Sequence, residues 1–384
     1  MLVAFDPLVQ DEPYDAYRVL RDRFPVYRND ARDFWALSRF DDVQAAAREW
    51  TRWSSAEGVN LDDTLSLTGA GNFIAADPPD HDRLRRVVRG RFTPATVTAM
   101  EPEIRADVRH TLSAAAADGG FDAAALLAWA IPVRTISRLL GLPLEDEPAL
   151  GAWLRAAIRR DPERDRLPAG ARAAAGDLRS YFDLHVARRR DAPGDDLLSD
   201  VVAAAGRGEL DGEEIVGLCI LLYIAGTETV ADFIGNALVV LAEHPDQRAL
   251  LAAEPGRAPA AVEELLRFES PVQYQVRTAT ADRELHGVTV PRGARVALLW
   301  GAANRDERRW ARPDELDVTR EARRHLAFGE GIHHCLGAPL ARLQGRIVLE
   351  EVLRAMPGYR LDGPVVRIAT HNTRGVARLP LAIA

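Results

Sequence analysis

The chain has no lysine: all 49 of its basic side chains are Arg. That bias speaks of a GC-rich bacterial genome rather than of a mechanism. Cysteine is nearly absent too, with only Cys219 and Cys335 in 384 residues. They imply no disulfide framework, and the composition fits a reducing cytoplasm. A surplus of positive charge is missing, since the formal net charge is -8. Nucleic acid is therefore a poor partner, because binding it draws on clustered cations. The N-terminus lacks both a basic n-region and a long apolar stretch, so no signal peptide is expected. The longest apolar tract, residues 215–242, is broken by Glu228, Thr229 and Asp232. A membrane span is not expected there. No glycine-rich flavin or nicotinamide fingerprint occurs.

What is present is enough apolar material for a large core: 47% hydrophobic against 28% charged residues. No repeat or low-complexity linker divides the chain, and residues 1–384 read as one domain. Apolar positions recur at three and four residues, so the fold class is mainly α with small β-sheets. Helices are expected over residues 15–24, 42–49, from about 81, and over 338–354. Short strands are expected at 26–27, 34–37, near 285–300 and within 364–383. Residues 54–73 read as a long loop, and 155–170 as an exposed connection. Asp211 is a good N-cap, with Glu213 and Glu214 in the first turn. The helix that it opens should run to about Glu243, where His244-Pro245 stops it. Being apolar nearly all round, it should cross the core. Cys219 lies on it and reads as a small core residue.

The strongest local signal is Phe328-Gly329-Glu330-Gly331-Ile332-His333-His334-Cys335-Leu336-Gly337. Two glycines bracket a tight turn, and Gly337 removes a Cβ where another body could approach. Cys335 precedes a helix N-terminus, whose N–H groups stabilise a thiolate. Alone, such a cysteine would read as a buried structural residue. Its flanks point elsewhere: the stretch resembles the haem-ligand signature of the cytochrome P450 family.

Three further motifs agree with that resemblance in order and spacing. Glu264 and Arg267 resemble the family's Glu-x-x-Arg pair, which locks the fold around the ligand loop together with Asn304, Trp310, Pro313 and Asp317. Ala225-Gly226-Thr227-Glu228-Thr229 resembles the oxygen-binding motif of its long central helix. There Gly226 would make room for O2, and Glu228 and Thr229 would relay protons. The bland alternative is a Thr back-bonded within the helix and a Glu paired with an Arg. Val230 stands where the family often has a second Thr. Residues 77–85 resemble the start of a helix that offers His81 and Arg85 to a haem propionate. Arg277 and His333 match two further propionate positions, so four cations would converge on two carboxylates.

The resemblance spans nearly the whole chain. It implies the P450 fold, a triangular helical prism around a buried haem b with Cys335 as the iron ligand and Phe328, Gly329 and Gly337 beside it. The implied activity is insertion of one atom of O2 into a small or medium apolar organic substrate, by hydroxylation or oxidative O-demethylation. A peroxide-driven haem enzyme of the same fold, or a haem protein that only binds a ligand, stays open as an alternative. A zinc protein lacks its Cys/His ligand set here, and a c-type haem lacks Cys-x-x-Cys-His.

The resemblance also implies electrons from a ferredoxin with its reductase. Arg86 and Arg89, with Arg83 and Arg91, crowd one helix, and Arg342 and Arg346 follow the cysteine loop. They form a candidate docking patch. The implied substrate pocket takes Val59, Leu61, Leu65, Leu67, Phe73, Ile224, Ala225, Val272 and Tyr274. Residues 54–63, 270–273 and 303–306 are similar to P450s that demethylate small aromatic acids. Residues 54–82 contain no Arg to hold a carboxylate, so an apolar aromatic, terpenoid or polyketide-like substrate is expected instead.

Overall fold

Asp211 starts the element that organises the fold. Its side chain accepts the backbone N–H of Glu214 at 2.8 Å, and the Glu214 carboxylate accepts that of Asp211 at 2.9 Å. This reciprocal cap satisfies two donors that a helix end leaves orphaned. The helix then runs Gly212–Glu243, 32 residues, or about 48 Å. It stops at His244, and Pro245 opens the next helix. The protein is described by a computed structural model over residues 12–61, 68–116, 120–159, 168, 170–370 and 372–383.

By length and composition this helix could cross a membrane, but 72% of its most apolar window is buried inside the protein. It is the core helix, with Leu218, Tyr223, Cys219 and Leu241 fully enclosed. Each large side chain buried this way contributes about 1.5–3 kcal/mol. The π-helical turn Ala124–Trp129, its continuation Ala130–Leu140, the helix Ala171–Asp191 and the helix Ala338–Ala355 pack against it.

A five-stranded sheet flanks the helices. Its order is Val26–Asn29, Phe34–Leu37, Arg295–Leu298, Gln275–Ala279, Trp53–Ser54. The Phe34–Leu37 to Arg295–Leu298 pairing is parallel and the rest are antiparallel. The sheet matters here because Gln275–Ala279 carries Arg277, set opposite Val296. The expected helices appear as Tyr14–Arg23, Phe40–Arg48, Asp80–Val88 and Ala338–Ala355. Most of the expected connection at 155–170 lies outside the described residues.

The Glu264–Arg267 pair is fully buried rather than exposed on a helix face. Arg267 donates to Glu264 through Nε and Nη2 at 2.7 and 2.8 Å, and through Nη1 to the carbonyls of Asn304 and Pro313. Glu264 Oε1 also accepts Arg320 Nε and the Asp317 N–H, each at 3.1 Å. Asn304 Oδ1 in turn accepts the N–H of Leu326. Helix Ala258–Phe268 thus grips the segment that delivers the cysteine loop. Arg320, the third charge of this cluster, carries no motif signal.

Candidate active site

The cysteine loop is held by its own backbone. Cys335 N–H donates to Phe328 O at 2.9 Å, and a 3-10 turn, Gly331–His333, fills the interval. Gly331 has φ +72°, and a Cβ there would meet Ala47 O at 2.6 Å. The loop can therefore lie on helix Phe40–Arg48 only with glycine at that corner.

Cys335 opens onto a cavity with about 1250 Å³ of free space, part of it continuous with solvent. The sulfur faces the cavity while protein surrounds its other sides. Burial pushes the thiol pKa up; the N–H groups of Gly337 and Ala338 and the guanidiniums of Arg85 and Arg342 pull it down. Those groups would stabilise a thiolate. A Cβ on Gly337 would touch only the Cys335 sulfur, at 4.0 Å. A flat body can therefore lie close over this turn. Among the described residues no His, Cys, Asp or Glu cluster could hold a metal by itself. A lone thiolate suits a metal that brings its own macrocycle.

The cations expected at one rim come together. His81 and His333 meet edge to face, with ring centroids 4.7 Å apart. His81 Nε2 and His333 Nδ1 are buried and have no hydrogen-bond partner among the described residues. Arg277 is 2% exposed, and among the described residues its hydrogen bond runs only to the carbonyl of Val276. Burial lowers its pKa to about 10, so it remains a cation. Arg85 lines the cavity beside them. Orphaned donors and an unpaired buried guanidinium fit carboxylates brought by a haem. Burial, then Arg277, His81 and Arg85, lower the His333 pKa to about 2; carboxylates at this rim would act against the last three.

The central helix turns Leu221, Leu222, Ala225, Thr229 and Phe233 to the cavity, at helical spacing. Thr229 Oγ1 donates to Ala225 O at 2.9 Å. The hydroxyl is thus back-bonded, and its lone pairs remain for accepting. Glu228 accepts from Thr373 Oγ1 at 3.1 Å. Gly226 also lines the cavity. A Cβ there would sit 2.9 Å from Ile136 Cδ1, so glycine also admits the approach of helix Ala130–Leu140, whose Ile136 lines the same cavity.

Of the expected pocket residues, Phe73, Ala225 and Val272 line the cavity. Val59, Leu61, Ile224 and Tyr274 do not. Ile224 points away because it lies off the helix face that carries Leu221 and Ala225. Tyr274 packs into the core between the sheet and helix Tyr14–Arg23, while its strand neighbour Gln275 faces the cavity. Val59 lines a separate recess, and Leu61 packs beside Tyr274. Leu65 and Leu67 lie outside the described residues. Phe92 and Ile136 line the cavity without any motif to announce them.

The candidate docking patch shrinks. Arg342 pairs with Glu263 at 2.7 and 2.9 Å, and Arg346 with Glu101 at 2.6 Å. Arg83 and Arg91 are paired with Glu214 and Asp200. Arg86 and Arg89 are exposed, with no ion pair among the described residues.

Residues 178–357 match the sequence pattern of the family described as Cytochrome P450. Cytochrome P450 130 of Mycobacterium tuberculosis is 39% identical over 91% of this chain and 89% of that protein. Vitamin D(3) 25-hydroxylase of Pseudonocardia autotrophica is 38% identical over 97% and 94%. The crystal structure of CYP109E1 from Bacillus megaterium in complex with testosterone superposes with a TM-score of 0.91. It covers 98% of this chain and 99% of that one at 30% identity.

Proposed function

This chain belongs to the cytochrome P450 family and is a P450 monooxygenase, and from that premise we propose how its residues divide the work. The family takes electrons from a redox partner and acts on organic substrates. We assign haem b as the cofactor, which the Cys335 thiolate would hold, with Phe328, Gly329 and Gly337 lining its site. Bound there, the haem supplies the reductive activation of O2 that puts one oxygen atom into a substrate.

The remaining work falls to side chains. Arg85 and Arg277 neutralise the propionates, and His81 and His333 donate hydrogen bonds to them. Glu228 holds a proton one residue from Thr229, whose oxygen can accept and pass it. Glu264 and Arg267 hold the segment that carries the ligand loop. Ferredoxin with its reductase is the proposed electron source, docking at Arg86 and Arg89. We further propose that residues 1–384 act as one domain in the cytoplasm.

The substrate reading rests on one observation: Phe73, Ile74, Leu221, Leu222, Ala225 and Val272 line the cavity. We propose an apolar substrate of medium size, oxidised by hydroxylation. The Pseudonocardia relative is named for an apolar vitamin, and the Bacillus structure holds testosterone. Titrating the holoenzyme with apolar polycyclic and macrocyclic compounds should shift the haem from low to high spin, and turnover should give hydroxylated product. A shift with small aromatic carboxylates and none with these compounds would overturn the substrate class.

A further inference from the structure

Behind the rim of histidines and arginines stands a hydroxyl that the mechanism above leaves unused. Ser55 is fully buried, and its Oγ lies 3.1 Å from His333 Nε2. Two contacts set Ser55 there. Strand Trp53–Ser54 pairs with Gln275–Ala279, placing Ser54 opposite Thr278, the neighbour of Arg277. Asp77 then fixes the chain as it leaves that strand. Its Oδ1 accepts the Ser55 N–H at 3.0 Å, and its Oδ2 accepts the Ser54 hydroxyl. Asp77 also reaches the rim in two other ways. Its carbonyl accepts the His81 N–H at 3.0 Å, at the start of helix Asp80–Val88. Its charge opposes the loss of charge that burial favours at Arg277.

The two ring nitrogens of His333 differ. Nε2 meets Ser55, while Nδ1 is buried with no partner among the described residues. A carboxylate only accepts hydrogen bonds, so a rim that holds propionates needs the hydrogen on Nδ1. In a neutral imidazole the other nitrogen is then a bare acceptor. The Ser55 hydroxyl supplies its donor, and the hydrogen stays on Nδ1. In an imidazolium the same hydroxyl accepts from Nε2, and Nδ1 again carries a hydrogen. Without the hydroxyl, a neutral ring is free to carry its hydrogen on Nε2. It would then turn a lone pair toward the rim, where a carboxylate is repelled.

We propose that Ser55, set in place by Asp77, is a positioning residue that keeps the Nδ1–H of His333 turned to a haem propionate. The inference rests on the reading of His333 as a propionate donor. Ser55 does not line the cavity, so it acts through the imidazole and not on the cofactor itself. His81, edge to face with that ring, limits how far the imidazole can swing when its hydrogen bond is lost. The hydroxyl therefore governs which atom the ring presents more than where the ring lies.

The test compares haem-loaded wild type, Ser55→Ala, His333→Ala and the double variant. The first readout is the rate at which haem passes to excess apomyoglobin. Ser55→Ala and His333→Ala should each speed that loss by about tenfold, the scale of one hydrogen bond to a charged group. The double variant should lose haem no faster than His333→Ala alone, because Ser55 acts only through that ring. The second readout is the reduction potential of the haem. A propionate deprived of a donor keeps more of its negative charge, so the potential should fall in Ser55→Ala and no further in the double variant. A merely structural Ser55 would add its effect to that of His333→Ala, and such additivity overturns the inference. So does a Ser55→Ala protein that keeps haem like wild type while His333→Ala does not. Wild-type haem retention in His333→Ala would instead sink the reading of His333 as a propionate donor, and the inference with it. If Ser55→Ala fails to fold, Ser55→Cys decides, since a thiol is close in size and only a weak donor. Haem loss at the wild-type rate in that variant overturns the inference.

Discussion

Gly226 lines the cavity, and its missing side chain also leaves room for Ile136, which lines it too. A methyl group there would sit 2.9 Å from Ile136 Cδ1. Alanine gains about 1 kcal/mol over glycine in a helix interior, and crowding a packed contact costs about 1–3 kcal/mol. Crowding wins narrowly, so Gly226→Ala should lower stability by about 1 kcal/mol in urea unfolding. Adding Ile136→Val, which removes the offending methyl, should restore it. A Gly226→Ala protein of full stability but weakened ligand binding would return the glycine to the oxygen side. Residue types alone singled out Cys335 between its glycines and Thr229 beside Glu228, and Cys335 and Thr229 both line the cavity. Contacts were less legible. Nothing in the motif says that Thr229 bonds back to Ala225.

Elements set which of those side chains can meet. The buried Glu264–Arg267 pair joins helix Ala258–Phe268 to the chain between Asn304 and Arg320. Removing one partner leaves buried charge uncompensated, which costs about 3–5 kcal/mol. Glu264→Ala strands both Arg267 and Arg320 and should lose stability of that order in urea melts. A change below about 1 kcal/mol, the scale of a surface pair, would show that the cluster is not a clamp. Helices and strands were legible because their periodicities are strong, and Asp211 announced the central helix. Pocket membership was not, since it depends on the phase of each element. Ile224 and Tyr274 each lie next to a true lining residue and face the other way.

At the scale of the whole molecule, a net charge of -8 leaves few places for an acidic electron donor. Ion pairing neutralises Arg342 and Arg346, so Arg86 and Arg89 are the exposed cations left on the helix end beside the cysteine loop. Charge steering acts mainly on association. Reversing both to Glu should raise the KM for ferredoxin by about tenfold and flatten its salt dependence, with kcat at saturation kept. An unchanged KM would place docking elsewhere. The central claim is the bond between Cys335 and a haem iron, around which the loop, the cations and the cavity are arranged. The most direct measurement is the carbon monoxide difference spectrum of reduced, haem-loaded protein. Wild type should give the thiolate-type spectrum, and Cys335→Ser should lose it while remaining folded. The same spectrum from the serine protein, or its absence from wild type, would contradict the account.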